Sequence, residues 1–319
     1  MKPKASLSLD LDNQWSYMKT HGDTGWEKFP SYFDLVVPSI LDILERLNLK
    51  ITFFIVGQDA ALEKNRDFLK LIADRGHEVG NHSFHHECWL HLYRKDQIRK
   101  EIIQAEDEIY RATGQKPIGF RGPGFVWGPD LLGVLAENGY MYDASILPTY
   151  LSPLARIYYF WKSNLTKKEK EQRKKIFGTF KDSKRPVKPF LWQLNSNETL
   201  LEIPVTTMPI IKVPFHLSYL LFLSRFSTEL MVLYLKIAIA LCRITNTEPS
   251  FLLHPLDFLS NDKVPALAFF PGMDLNSERK AELFNKVINM LSNYFNLVDM
   301  STHAESIFKG DLIKVIQPS

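Results

Sequence analysis

The chain has little of what would narrow its class at once. It holds two cysteines in 319 residues, Cys88 and Cys242, and they are far apart. That excludes a disulfide scaffold and the closely spaced pairs of a Cys-based zinc or redox centre. No low-complexity tract interrupts the sequence, so a folded chain is expected. The most apolar helical stretch, Glu229 to Arg243, is too interrupted to read as a membrane span, which needs roughly 20 predominantly apolar residues. The opening Met1-Lys2-Pro3-Lys4-Ala5-Ser6 lacks the apolar core of a secretory signal, which predicts a cytoplasmic protein. No nucleic-acid-binding motif is present, and no nucleic-acid partner is expected.

What is present suits one large globular unit. The sequence is 45% hydrophobic and 24% charged, ordinary values for a domain with a sizeable core. The formal net charge of +3 conceals an asymmetry. Between Arg156 and Lys188 twelve Lys/Arg face three acids, a local balance of +9, so the rest of the chain sums to −6. Such a block is either a solvated loop or a surface for an anionic partner.

Strand and helix signals alternate through the first 145 residues. Strands are predicted at Ser6 to Asp10, Ile51 to Val56, Glu78 to Asn81 and Ile118 to Phe120. Helices are predicted at Asp34 to Leu47, Ala60 to Arg75, Lys95 to Thr113 and Pro129 to Asn138. This alternation predicts an α/β fold with a parallel sheet, open or closed into a barrel. It lapses after Ile146, where the basic block is followed by a strand-like Leu200 to Val205 and an apolar helical pair at Leu217 to Phe226 and Thr228 to Arg243. It then resumes with a strand at Ser250 to Leu253, a helix at Ser277 to Phe295 and a strand at Leu297 to Met300. We therefore expect a single barrel domain over 1–319, with a basic and apolar helical insertion at about 150–245. Within the insertion, Glu229, Lys236 and Arg243 recur every seventh residue, one thin polar stripe on an apolar helix. A helix of that kind is buried, oligomeric or seated on a lipid surface, ordinary burial being the plainest reading.

Four groups fall at or just after predicted strand ends: Asp10-Leu11-Asp12, His82-Ser83-Phe84-His85-His86, Arg121-Gly122-Pro123-Gly124, and His254. In parallel barrels those ends converge on one face, where active sites are built. On one helical turn, His82 and His86 would face the same side, and His85 could replace His86. Two imidazoles and one carboxylate leave a coordination position open, as a catalytic divalent metal needs. Each group also has a plain structural explanation, as a cap, an ion-pair partner or a core histidine; their joint order is the signal.

In that order the motifs resemble the polysaccharide deacetylases of carbohydrate esterase family 4, from Asp10 through His254. Asp10-Leu11-Asp12 resembles the first motif in a split form, His82-Ser83-Phe84-His85-His86 the second, and Arg121-Gly122-Pro123 the third. Asp143-Ala144-Ser145 resembles the fourth and Leu252-Leu253-His254 the fifth. The resemblance implies a distorted (β/α)7 barrel. It also implies a metal held by Asp12, His82 and His86, zinc first, with cobalt, nickel or manganese as alternatives. Asp10 would be the general base, paired with Arg121, and His254 the general acid, oriented by Asp143. A backbone N–H near Gly124 would help hold the oxyanion. The split first motif leaves the roles of Asp10 and Asp12 exchangeable.

The implied activity is metal-dependent removal of an N-acyl group, acetyl first, from an amino sugar. Trp15 and Trp26, in a loop between Asn13 and Tyr32, are candidate sugar platforms. The basic block and apolar helices suit a lipid-linked or glycan-precursor sugar at the inner, anionic membrane face. Other readings are hydrolysis of a cyclic imide, ureide or other small amide, and a non-catalytic sugar-binding relative. Oligomeric state is not readable.

Overall fold

Parallel strands separated by helices run through the first half of the chain: β1 (Lys4–Leu11), α1 (Gln14–His21), α2 (Phe33–Arg46), β2 (Thr52–Ile55), α3 (Gly57–Ala61), α4 (Glu63–Asp74), β3 (Glu78–Asn81), α5 (Lys95–Thr113), β4 (Gly119–Phe120), α6 (Pro129–Glu137) and β5 (Tyr142–Asp143). There follow α7 (Ser152–Lys162), α8 (Lys167–Gln172), β6 (Phe190–Gln193), β7 (Thr199–Glu202), α9 (Leu217–Ser224), α10 (Thr228–Ile244) and β8 (Ser250–Leu253). The chain ends with α11 (Ser277–Ser292), β9 (Asn296–Val298), α12 (Met300–Phe308) and β10 (Val315–Ile316). The structure, a computed structural model, describes residues 2–196, 198–310 and 313–318.

The strand order is β10-β6-β7-β5-β4-β3-β2-β1-β8, with β9 also pairing β1. Every pairing is parallel except that of β6 with β7. Strands buried on both faces read as near-continuous apolar runs, and Thr52–Ile55 and Ser250–Leu253 are buried at every position. The fold is thus α/β with a mostly parallel sheet, as expected, but the ladder itself does not close. Irregular backbone spans the gap instead: Ile203 N donates to Asp143 O at 2.9 Å, Thr206 N to Ser250 O at 3.0 Å, and Ser250 N to Thr206 Oγ1 at 2.8 Å.

Two expectations need revising. The stretch 150–245 is not one helical excursion. β7 lies in the sheet beside β5, and α10 buries Met231, Leu235, Ala238, Ile239 and Cys242 in the main core while Leu230, Leu233 and Ile237 stay exposed. Within 150–245 only β6 and β7 enter the sheet; α7 and α8 precede them, and α9 and α10 follow. The segment after Asn13, read as a loop, begins with helix α1. Its buried residues, Trp15, Ser16, Tyr17, Lys19 and His21, mix polar with apolar, so no apolar stripe marks it. Asn13 starts that helix by accepting Gln14 N at 2.8 Å.

Candidate metal centre and acid–base site

β1 sets the polar wall of the site. Ala5, Leu7, Leu9 and Leu11 enter the apolar core, so strand parity points Ser6, Ser8 and Asp10 the other way. Buried Asp10 receives Arg121 Nη1 on Oδ1 at 2.8 Å. Arg121 follows β4 and is fully buried; its Nη1 also donates to Ser8 Oγ at 3.0 Å and its Nε to Ala144 O at 3.0 Å. Its guanidinium lies 4.5 Å from the centre of the Phe54 ring. Removing one partner of such a buried pair typically costs about 3–5 kcal/mol, because the other charge is left unpaired.

The residues after β3 were expected to form a helical turn; they form a loop. Ser83 (φ 60°) and His86 (φ 54°) take left-handed backbone. Asn81 Oδ1 accepts Ser83 N at 2.8 Å, and Glu101 Oε2 accepts Phe84 N at 3.1 Å and His85 N at 3.0 Å. Gly57 N and Gln58 N donate to Ser83 O and Phe84 O, both at 2.9 Å. His85, the alternative to His86, is drawn away: its Nδ1 lies 2.6 Å from Glu101 Oε1 and the ring is half exposed.

His82 Nδ1 lies 2.7 Å from the Arg121 carbonyl, which leaves Nε2 to face Asp12 Oδ1 at 3.5 Å. His86 Nε2 approaches the same oxygen at 2.8 Å. One ligand atom from each of Asp12, His82 and His86 lies within 4.8 Å of the others. A divalent ion with bonds of about 2.0–2.2 Å separates neighbouring ligands by about 3–3.5 Å. Asp12 Oδ1 and both nitrogens of His86 are buried without a hydrogen bond among the described residues. These orphaned donors, with a backbone carbonyl orienting His82, fit a divalent cation. Burial pushes the Asp12 carboxyl up, but the His86 and His82 imidazoles outweigh it and hold the group well below the usual carboxylate range. Burial disfavours the His82 imidazolium, yet Asp12 and Asp10 together raise its pKa. The carboxylate between the imidazoles is therefore Asp12, while Asp10 turns to Arg121.

Part of the chain is similar to known proteins. Residues 23–142 match the sequence model of the family described as polysaccharide deacetylase. Over that stretch, which is less than half of its length, the chain is similar to the polysaccharide deacetylases. Peptidoglycan-N-acetylglucosamine deacetylase of Bacillus cereus is 40% identical over 86 residues, 27% of this chain and 30% of that protein. Peptidoglycan-N-acetylmuramic acid deacetylase PdaA of Bacillus subtilis is 34% identical over 104 residues, 32% of this chain and 38% of the relative. The chain thus spans about a third of the length of the relatives it matches. A Mycobacterium smegmatis structure assigned to the polysaccharide deacetylases matches along 100% of both chains with a TM-score of 0.55 at 18% identity, a likeness of fold.

Beyond the family stretch, geometry alone places the remaining residues. Buried Asp143, expected to orient His254, instead accepts Ser145 Oγ at 2.6 Å and lies against Glu202 on the neighbouring strand. Burial pushes its carboxyl up to about 6, and the Glu202 carboxyl goes well above its ordinary value through burial and the Asp143 charge. His254 faces other groups: Nδ1 is 3.2 Å from Ser218 Oγ and 4.0 Å from Asp257 Oδ2, and that same oxygen accepts His254 N at 2.9 Å. The Asp143 side chain points at β7 instead of at His254, to which the resemblance had tied it.

Trp15 is also not an open platform. It is buried and donates Nε1 to Asp59 Oδ1 at 2.9 Å, while its ring packs on Phe29 at 5.2 Å. Trp26, partly exposed, remains available, with Lys19 Nζ 5.1 Å from its ring. Gly124 has φ 61°, and a Cβ there would meet Ile176 Cγ1 at 2.8 Å.

Three more side chains lie near the site, of which the sequence pointed only to Tyr17, as one of the aromatics between Asn13 and Tyr32. His216, buried with Nδ1 unpartnered among the described residues, stands 5.8 Å ring to ring from His254. Burial and the neighbouring His254 and Arg121 charges hold its pKa well below the ordinary histidine value, so it is neutral. The Tyr17 hydroxyl is buried and raised well above its ordinary pKa by burial and the charge of Asp12. Asp257, buried one turn after His254, was hidden because Pro255-Leu256-Asp257 resembles any short loop. A cleft of about 520 Å³ is walled by Phe125, Trp127, Phe180, Lys175 and Lys181, and none of the proposed ligands lines it.

Proposed function

We propose that this protein is a metal-dependent deacylase that hydrolyses the N-acyl group, acetyl first, of an amino sugar in a glycan or lipid-linked precursor. The observation that carries it is the Asp12–His82–His86 cluster, with the Asp10–Arg121 pair beside it. The peptidoglycan deacetylases it resembles support the substrate class. Bound there, a divalent ion, zinc first, would polarise the amide carbonyl and make water a better nucleophile.

The chain's own groups do the rest. Asp10, held in place by Arg121, takes a proton from the attacking water. His254, with Nδ1 turned to Ser218 and Asp257, has Nε2 left to protonate the departing amine. Acid–base help of this kind contributes typically ~10²–10⁴-fold. His216, neutral and close by, keeps a second positive charge from the acid's side of the site.

The test is metal content and amine release on N-acetylglucosamine oligomers, wild type beside His82→Ala. The wild type is expected to hold about one divalent ion per chain and release amine, and the variant to lose both. A wild type that binds no divalent metal, or turns over only imides and ureides, would overturn the proposal.

A further inference from the structure

Helix α7 carries an apolar stripe that the fold does not use. Leu154, Ile157, Tyr158 and Trp161 fall at positions i, i+3, i+4 and i+7, one helical face. They are 63, 65, 44 and 74% exposed. An exposed apolar face on a soluble domain marks an interaction surface rather than ordinary scatter. Tyr and Trp, each with an apolar ring and a polar tip, suit the boundary between water and lipid.

The surroundings narrow the partner. Lys162, Lys167, Lys168, Lys174, Lys175 and Lys181 are exposed, against one exposed acid in the same stretch, Glu171, which pairs with Lys174. A second copy of the chain is a poor match, because a twofold contact would set this lysine field against itself. Lysine is also depleted at protein–protein interfaces. An anionic bilayer satisfies both halves: acyl chains for the stripe, headgroups for the ammonium groups.

The face is tied to the mouth of the site. Tyr159 OH donates to Thr20 O, His21 Nε2 lies 2.9 Å from Lys162 O, and Arg173 Nη2 donates to Lys19 O at 3.2 Å, so α7 is anchored on the helix that follows Asp12. Phe177 N donates to Gly124 O at 2.7 Å, joining the same segment to the loop after Arg121. Among the described residues no helix is long and apolar enough to cross a membrane, so contact through α7 would be peripheral.

We propose that the α7 face, with its lysine border, docks the protein on an anionic lipid surface with the site's mouth at the bilayer. This deepens the deacylase reading, on which its substrate consequence rests: an amino sugar carried on a lipid anchor. The test is co-sedimentation of the full chain with vesicles of phosphatidylcholine alone or with a quarter phosphatidylglycerol. Ile157→Glu/Trp161→Glu and Lys167→Glu/Lys168→Glu are compared with wild type, and amine release is read separately on a soluble N-acetylglucosamine oligomer. Wild type is expected to bind the anionic vesicles, less at high salt, and each double variant to bind about tenfold or more weakly. Amine release from the soluble oligomer should stay unchanged in both variants. No wild-type binding to anionic vesicles, or binding that both variants retain, overturns the docking. So does a wild-type dimer that Ile157→Glu/Trp161→Glu makes monomeric without vesicle binding. Vesicle binding without any amine release leaves the docking standing and defeats only the deacylase reading.

Discussion

At the scale of single residues, the site divides its carboxylates by partner. Asp12 and Asp10 are two positions apart on one chain segment, yet one meets imidazoles and the other a guanidinium. Asp10→Asn should therefore lower kcat by about 10²–10⁴-fold while bound metal stays stoichiometric. Metal loss in that variant, read by elemental analysis, would mean the two roles are exchanged. Asp257 makes the second contrast. Asp257→Asn should cost about tenfold to a hundredfold in kcat with KM little changed, the range for groups that orient a functional imidazole. Asp143→Asn should cost kcat less, since Asp143 turns to Ser145 and Glu202. The reverse order in steady-state rates would restore Asp143 as the partner of His254. Residue identity and order in the sequence pointed to the proposed ligands and to Asp10, Arg121 and His254; the structure brings Asp12, His82 and His86 together and pairs Asp10 with Arg121. Ser218 and His216 were not legible, because each reaches His254 through packing between distant elements, and Asp257 was not because its local sequence reads as a plain loop.

At the scale of elements, the glycines around Pro123 answer to backbone crowding. A Cβ on Gly122 would sit 1.9 Å from Val126 O, a clash that no side-chain rotation relieves. Gly122→Ala should unfold the loop that carries Arg121, lowering the Tm and abolishing activity together; a variant with wild-type melting by calorimetry would refute that account. Strand and helix positions along the first half followed from periodicity, because its helices carry clear apolar faces. Helix α1 and the loop of His82 to His86 did not, since polar contacts shape both: Asn13 caps one, and Asn81 and Glu101 hold the other. The second metal-site histidine converges by left-handed turns, a geometry that residue spacing alone does not encode.

At the scale of the whole molecule, a buried acid links the sheet to the aromatic loop. Asp59, in α3, is fully buried, and its Oδ1 accepts Asn13 Nδ2 at 2.7 Å, Trp15 Nε1 at 2.9 Å and Asn65 Nδ2 at 3.0 Å. Burial outweighs those bonds and pushes its carboxyl up to about 7. Its folded-state pKa exceeds the ordinary 3.8, so its contribution to stability is complete in acid and is lost as pH rises through about 7. The Tm of wild type relative to Asp59→Asn should accordingly fall between about pH 5 and about pH 8. Parallel melting profiles across that interval would show that the three donors, not burial, govern the group.

The order of the chain carries a last consequence. Every proposed ligand, the proposed base and its arginine lie within the first 121 residues, and the proposed proton donor follows β8, on the far side of the irregular gap at Thr206 and Ser250. A polypeptide leaving the ribosome therefore carries every proposed ligand long before the proposed acid, although β1, which leads to Asp12, finds its partner β8 only near the end of synthesis.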